Sequence, residues 1–218
     1  MTVVGIIGAG EVGSQLARAI TRAGGDVIIA NSRDPETLTP LIQELGPRAA
    51  ASTAAGAASA GDFVIIAVPL KLENDMPTDE LAGKVVLDTN NYMAWRDGRF
   101  AVIESGRKTI HELRQEQLPT SMVANAFTHI QAPRITTDGR PPGAPNRHAL
   151  SVSSDFRKAH ERTAWLYDLL GFDTVDNGRL SESWRSGPGQ PAWLAHEHQT
   201  AAQLTRNLAD AQRPIGGR

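Results

Sequence analysis

The sequence TVVGIIGAGEVGSQLARAI at residues 2–20 decides the fold. Its first part, TVVGII, is the kind of apolar, β-branched run that is buried on both faces of a parallel sheet. A glycine turn follows, and apolar side chains then recur at helical spacing until Gly24 and Gly25 end the segment. This succession of strand, glycine turn and helix predicts the first unit of a nucleotide-binding domain.

The turn GAGEVG fits the pattern G-x-G-x-x-G. Gly8 permits the tight turn, Gly10 lets a pyrophosphate approach the backbone, and Gly13 lets helix and strand pack closely. The main-chain amides around Glu11 and Val12 then face the anion with the positive end of the helix dipole. We therefore predict a dinucleotide site at this turn.

The second strand, DVIIA, ends without the acidic residue that usually binds the ribose hydroxyls. Asn31, Ser32 and Arg33 stand there instead, and they offer a hydroxyl donor and a guanidinium that can hold a phosphate by two hydrogen bonds. We expect the nearby Asp34 to cap the helix that follows it. The sequence therefore predicts NADP(H) as the cofactor.

Strand and helix alternate along the first half of the chain. Strands are predicted at 2–7, 26–30, 48–52, 62–69 and 84–89, and helices at 14–24, 35–46, 53–60 and 70–82. In the second half we predict helices at 108–117, 156–171 and 190–211, strands at 120–127 and 148–155, and a long ordered loop at 133–147. The alternation predicts an α/β fold with a Rossmann-type doubly wound parallel sheet. We expect an NADP-binding domain at 1–120 and a small C-terminal α/β portion at 121–218, which completes the sheet and caps the ligand edge.

The composition limits the classes of function. The 22 basic and 24 acidic residues give a net charge of −2, which predicts no nucleic-acid or membrane partner. The chain has no cysteine, which excludes disulfides, iron–sulfur clusters and thiolate zinc sites. Because the sequence contains no run of about 18 apolar residues and opens directly with a strand and glycine turn rather than a signal peptide, we expect a cytoplasmic protein. A homodimer is the commonest assembly and is our expectation here.

Further motifs connect the chain to a known family. They are NSR after the second strand, VIIAVP, VVLDTNNY, ANAFTHI, PNRHAL and GFDTVDNGRLSESWR. With the glycine turn, they make nearly the whole chain resemble the oxidoreductases that pass hydride between NADP(H) and the deazaflavin coenzyme F420, together with their bacterial NADPH-dependent relatives. The resemblance implies NADP(H) as one substrate, and coenzyme F420 or a flavin as the other.

The resemblance also implies which residues bind the cofactor. The NADP phosphates would contact Ala9, Gly10, Glu11, Val12, Ser32 and Arg33. The nicotinamide would lie near Val68, Pro69 and the loop Thr128–Ile130. Two residues depart from the bacterial relatives on the acceptor side, where Asn125 replaces a common Lys and Thr128 replaces a common Asn.

Several side chains are candidates for the acceptor side. His129 could protonate or orient an acceptor, although a structural role is the more common one for such a histidine. Asn90, Asn91 and Tyr92 lie beyond the carboxyl end of the fifth strand, where such sheets bind ligands, and Asn90 is also predicted to bind the cofactor. Three tryptophans could form a wall for a planar ring, namely Trp95, Trp184 and Trp193.

Other histidines are expected to take no part. His111 is predicted to be solvated on a surface helix. His196 and His198 would lie on different faces of the final helix, so we predict no metal site there.

Three functions remain open at this point. The first is an NADPH-dependent reductase whose acceptor is a deazaflavin or flavin. The second is a reductase of a small carbonyl, imine or enone, for which His129 or Tyr92 would be the proton donor. The third is a non-enzymatic NADP sensor that docks a partner protein.

Overall fold

The computed structural model describes residues 2–70, 76–195 and 198–213 of the 218-residue chain. One eight-stranded sheet organises these residues. Its strands are β1 Val3–Ile7, β2 Asp26–Ala30, β3 Ala49–Ala51, β4 Phe63–Ile66, β5 Val85–Asp88, β6 Met122–Asn125, β7 Ala149–Ser154 and β8 Asp173–Asp176. They lie in the order β3-β2-β1-β4-β5-β6-β7-β8.

The first six strands run parallel, as the sequence predicts. The strand order reverses between β1 and β4, which is the point where doubly wound sheets bind dinucleotides. β7 runs antiparallel to β6, and β8 is parallel to β7. The Rossmann-type α/β prediction is therefore confirmed, with two strands of opposite direction added at one edge. The division at residue 120 stays a prediction.

Eleven α-helices occur in the described residues, and most are short. They are α1 Glu11–Arg22, α2 Thr39–Leu45, α3 Ala54–Ala60, α4 Thr78–Leu81, α5 Ala94–Asp97, α6 Ala101–Glu104, α7 Ile110–Gln117, α8 Arg134–Thr137, α9 Arg157–Leu169, α10 Pro191–Leu194 and α11 Ala201–Ala209. Three 3-10 helices cover Pro35–Leu38, Gly46–Arg48 and Leu180–Ser186.

The core lies on both faces of the sheet, and β4 shows this most clearly. Phe63 and Ile65 belong to a cluster that includes side chains of α1 and α9. Val64 and Ile66 belong to a second cluster with side chains of α3 and α4. Because both faces are covered, every residue of β4 is apolar and buried, and the strand shows no alternation of polar and apolar residues.

Three predicted elements differ from the structure, and one strand, β8, was not predicted. The helix predicted at 70–82 is wrong in extent, because only Thr78–Leu81 is helical, while 71–75 lie outside the described residues. The loop at 133–147 contains the short helix α8. β8 was not predicted, because its four half-buried or exposed residues carry two aspartates and resemble a loop.

The final helix predicted at 190–211 is in fact two helices, α10 and α11. Gln199 lies between them and donates from Nε2 to the Ala192 carbonyl of α10 at 3.0 Å. Thr200 then begins α11 with a reciprocal capping box to Gln203. A side chain that binds the end of one helix and a cap that starts the next therefore break the segment. Residues 214–218, which follow α11, lie outside the described residues.

Candidate functional site

The glycine turn joins β1 to α1 by close packing of main chain on main chain. Gly8 has φ +112°, and a Cβ there would lie 2.5 Å from the Ala67 carbonyl oxygen. A Cβ at Gly13 would lie 1.8 Å from the Gly8 carbonyl oxygen. Both positions therefore require glycine for packing alone, whether or not a ligand binds.

Gly10 is different, because the space beside it is open. A Cβ at Gly10 would meet nothing within 4 Å, and the residue has an ordinary φ of −73°. The first amides of a helix have no intrahelical acceptor. At α1 they also lack a side-chain acceptor, because the N-cap residue is Gly10. Ala9 and Val12 are half-buried and Glu11 is exposed at this turn. The turn therefore leaves room and hydrogen-bond donors for an anion.

The tip of β2 leaves one guanidinium available. Asn31 builds the turn, since its Oδ1 accepts from the Arg33 amide at 2.9 Å and its Nδ2 donates to Thr37. Asp34 accepts from the Glu36 amide at 3.0 Å and caps the 3-10 helix, as the sequence predicts. Ser32 and Arg33 are exposed, and among the described residues the Arg33 side chain has no hydrogen bond or ion pair.

A buried polar network supports the segment after β4, where the nicotinamide is predicted to bind. Asn90 is buried, and its Nδ2 donates to the Val68 carbonyl at 2.5 Å and to Asp88 at 2.7 Å. Asp88 also forms an ion pair with Arg114 of α7 at 3.1 Å, with both side chains fully buried. Pro69 follows Val68 directly, so this network fixes the position of both predicted contact residues.

The segment after β6 lies against the segment after β5. The Thr128 carbonyl accepts from Asn91 Nδ2 at 2.6 Å, and the Thr128 side chain is buried next to Ser186 at 3.3 Å. Asn125 is also buried and lies 3.4 Å from Ser186. The two residues that depart from the bacterial relatives therefore face the 3-10 helix Leu180–Ser186. Ile130 is half-buried at the end of this segment.

His129 has a structural environment. Its Nε2 accepts a hydrogen bond from the Ser151 amide at 3.0 Å, and its Nδ1 is buried without a partner. Burial, followed by the neighbouring His148, lowers the pKa of His129 to about 3. The ring is therefore neutral near pH 7, with its proton on Nδ1. The main chain therefore already uses the only ring nitrogen that could accept a hydrogen bond.

A cavity of about 790 Å³ opens beside Asn91. This volume lies within the range of small-molecule sites. Its walls come from the segment after β5, the start of α7, and the 3-10 helix Leu180–Ser186 with the residues after it. The polar and aromatic side chains that line it include Asn91, Tyr92, Lys108, His111, Ser183, Trp184 and Arg213.

Of the three candidate tryptophans, Trp184 alone lines this cavity. Guanidinium groups of Arg185 and Arg213 lie 4.8 and 5.3 Å from the centre of its ring. Trp95 is 83% exposed on α5, and Trp193 is half-buried on α10. Neither of these two contributes to the wall.

The prediction that His111 is solvated is wrong. His111 is only 3% exposed, because the 3-10 helix Leu180–Ser186 packs over α7 and places Ser183 Oγ 2.9 Å from His111 Nδ1. Sequence reasoning missed both residues of this pair. The motif GRLSESWR, which contains Ser183 and Trp184, was the available signal.

No group of three or more His, Cys, Asp or Glu side chains in 2–70, 76–195 and 198–213 could hold a metal ion. His198 lies between α10 and α11 rather than on a helix, and His196 lies outside the described residues. No described helix combines the length and the apolar character that crossing a membrane requires.

With this geometry in place, the chain can be compared with known proteins. The family model described as NADP oxidoreductase coenzyme F420-dependent matches residues 3–92. A hypothetical protein from Sinorhizobium meliloti is 30% identical, with a TM-score of 0.74, and the match covers 92% of this chain and 96% of that one. No curated protein matches the chain significantly.

More distant solved structures share the fold. A protein from Arthrobacter sp. FB24, provisionally named an F420-dependent NADP reductase, is 23% identical with a TM-score of 0.69, over 84% of this chain and 87% of that one. The imine reductase from Myxococcus stipitatus in complex with NADP+ is 20% identical with a TM-score of 0.54. That match covers 83% of this chain but only 56% of the imine reductase, so the two differ in a large part of their length.

Proposed function

Because the chain belongs to the family of NADP oxidoreductases described as coenzyme F420-dependent, we propose that it transfers hydride between NADPH and a planar deazaflavin or flavin ring. NAD(P)-dependent oxidoreduction is the activity of the family, and the identity of the acceptor is our proposal. The single observation that carries it is the cavity beside Asn91, at the edge of the sheet where the nicotinamide is expected.

The residues at the first turn fit NADP(H). Open space at Gly10 and the unpaired amides at the start of α1 suit a pyrophosphate, and the exposed Arg33 suits a 2′-phosphate. Bound NADPH would supply the hydride. Val68 and Pro69, held by Asn90 and the buried ion pair, would support one side of the nicotinamide and keep water away from it.

The cavity is a natural place for the second ring. Asn91 lines it and also donates to the Thr128 carbonyl, so the cavity begins where the predicted nicotinamide contacts end. Tyr92 and Trp184 contribute aromatic walls. Hydride transfer between two bound rings requires proximity, orientation and exclusion of water, and these walls can provide all three.

The candidate proton donors are poorly suited to a carbonyl or imine reductase. His129 is neutral and its Nε2 is occupied. The Tyr92 hydroxyl donates to Glu104 at 3.1 Å and accepts from the Phe100 amide, and burial raises the pKa of Tyr92. A deazaflavin or flavin can take its proton from solvent, so the absence of an available acid at these two positions favours that acceptor class over the small carbonyl or imine.

The experiment is NADPH oxidation by the purified protein with oxidised deazaflavin, FMN, a cyclic imine, or no acceptor. We expect turnover with deazaflavin or FMN and none with the imine. Turnover with the imine alone would replace the proposal by the imine reductase function. Tight NADPH binding without turnover of any acceptor would instead favour an NADP sensor.

A further inference from the structure

His111 is a buried polar side chain in the wall of the cavity with one unused nitrogen. It is 3% exposed, and Nδ1 lies 2.9 Å from Ser183 Oγ, whereas Nε2 is buried and has no hydrogen-bond partner. Leaving a buried donor or acceptor unpaired destabilises the folded protein. An unpaired atom on a lining residue is therefore a position where a bound ligand can supply the missing partner.

The contacts of Ser183 indicate which nitrogen carries the proton. Ser183 is buried, and among the described residues its hydroxyl contacts no polar group other than His111 Nδ1. The hydroxyl is satisfied only if its O–H donates to Nδ1, which places the imidazole proton on Nε2. An interaction with the Asn90 main chain raises the pKa of His111, which fits a carbonyl near a protonated ring nitrogen.

The ring is neutral in this environment. Burial, the largest effect, lowers the pKa of His111, and the neighbouring Asp88 and Arg114 act in opposite directions. A neutral imidazole with a proton on Nε2 is a hydrogen-bond donor and a very weak acid. It can stabilise charge on a ligand without giving up its proton.

Trp184 supplies a second unused donor on the same cavity wall. Its Nε1 is buried without a hydrogen-bond partner. Two further basic side chains line the cavity, Arg213 and Lys108, of which Lys108 also forms an ion pair with Glu116; the lining carboxylate Glu104 is paired with Arg99. The wall therefore offers N–H donors and positive charge, and it suits a ligand with several acceptor atoms.

Building on the proposed function, we propose that the second substrate is a planar heterocycle with conjugated carbonyl oxygens, and that His111 Nε2–H donates a hydrogen bond to one of them. In this transfer NADPH is oxidised and the acceptor ring is reduced. The ring gains the hydride with its electron pair, negative charge collects on the conjugated carbonyl, and solvent supplies the proton. A fixed donor at that oxygen stabilises the charge as it develops. Ser183 is then a positioning residue that sets the tautomer of His111.

The test compares three variants with wild type, using an oxidised deazaflavin as the acceptor. His111→Phe keeps a ring but removes the donor, and should lower kcat/KM for the acceptor about ten- to a hundredfold. His111→Gln, which keeps an N–H at a similar reach, should recover part of the loss. Trp184→Phe should lower kcat/KM severalfold. The Kd of NADPH should stay unchanged in all three.

The matched control is His160→Phe, because His160 lies on α9 and does not line the cavity. It should keep the wild-type kcat/KM. Equal values for His111→Phe and wild type would overturn the proposal.

A second readout does not depend on turnover. Nitrogen NMR of histidine-labelled wild type should show the His111 proton on Nε2, and Ser183→Ala should move it toward Nδ1. A wild-type ring protonated on Nδ1 would overturn the proposal, even if His111→Phe fails to fold.

The two proposals can fail separately. If wild type turns over the deazaflavin and His111→Phe has the same kcat/KM, the donor role alone is contradicted. Wild type that binds the oxidised ring more tightly than His111→Phe, yet transfers no hydride, supports the donor role and contradicts the proposed function. No binding and no turnover would contradict both.

Discussion

Arg33 is the residue on which we expect the preference for NADPH to depend. It is exposed at the tip of β2 without a partner among the described residues, so its removal costs little stability. A charge-assisted hydrogen bond contributes about 1.5–3 kcal/mol. Arg33→Ala should therefore weaken NADPH binding about ten- to a hundredfold and leave NADH binding nearly unchanged, as measured by titration of nicotinamide fluorescence.

Two variants sharpen the test of Arg33. Arg33→Lys keeps the charge but loses the planar pair of donors, so its Kd should lie between those of wild type and Arg33→Ala. Arg22→Ala removes an exposed arginine at the opposite end of α1 and should change neither affinity. An equal loss for NADPH and NADH in Arg33→Ala would contradict the assignment of the 2′-phosphate.

His129 should affect stability rather than catalysis. Its pKa falls from 6.5 to about 3 on folding, so the unfolded chain takes up a proton at a higher pH than the folded one. The stabilisation is complete above pH 6.5 and is lost progressively as the pH falls toward 3. At pH 5 the loss from this residue is about 2 kcal/mol.

His129→Gln tests this linkage, because glutamine Oε1 can accept from the Ser151 amide but does not titrate. Urea unfolding at pH 7 and pH 5 should show a smaller loss of stability in the variant than in wild type. Hydride transfer at pH 7 should stay within about twofold. A large drop in turnover with an unchanged pH dependence of unfolding would give His129 the catalytic role instead.

At the scale of elements, the β1–α1 turn contains one glycine that packing requires, Gly13, and one that we expect cofactor binding to require, Gly10. Gly13→Ala places a Cβ 1.8 Å from the Gly8 carbonyl oxygen. The turn must therefore distort, and the variant should lose about 3 kcal/mol of unfolding free energy. Gly10→Ala meets no atom within 4 Å and has an allowed φ. It should fold normally but bind NADPH far more weakly.

Thermal unfolding and NADPH titration of the two variants check this prediction side by side. Gly10→Ala with wild-type stability and wild-type NADPH affinity would contradict a pyrophosphate at Gly10. Wild-type stability of Gly13→Ala would contradict the packing geometry of the turn.

The buried ion pair between β5 and α7 is the second prediction at this scale. Arg114→Met leaves Asp88 charged, buried and without its ion-pair partner, which should cost about 3–5 kcal/mol of unfolding free energy. Adding Asp88→Asn to that variant removes the charge and should recover part of the loss. A double-mutant cycle by urea unfolding measures the coupling, and additive effects of the two substitutions would contradict it.

Local patterns predicted some elements and missed others for identifiable reasons. α9 and the strands β1, β2 and β4 carry strong periodicity or continuous apolar runs, and the sequence placed them correctly. The burial of His111 depends on a contact with Ser183, 72 residues away, which no local pattern records. Asn91, Tyr92 and Trp184 are acceptor-side candidates from the sequence and line the cavity, but the shape of the cavity could not be predicted, because its walls come from segments that are distant in sequence.

At the scale of the whole molecule, alternation of strand and helix was enough to predict the doubly wound sheet. It did not reveal the direction of β7, because β7 is buried along its whole length, as a strand of a parallel sheet also is. The predicted cofactor residues all follow the carboxyl ends of strands that are neighbours in the sheet, so topology alone brings them to one edge. The homodimer stays a prediction, which sedimentation velocity would test.

Because the cofactor residues follow five strands of one sheet, NADPH should stabilise the molecule as a single cooperative unit. At a concentration one hundred times its Kd, the ligand contributes about 2.7 kcal/mol, which raises the Tm of a chain of this size by roughly 5–10 °C. We expect one sharp transition that moves to higher temperature with NADPH, a smaller shift with the same concentration of NADH, and little shift with NADPH for Gly10→Ala. If NADPH splits the calorimetric transition in two, the sheet does not unfold as one unit, and the residues after 120 form a separate domain.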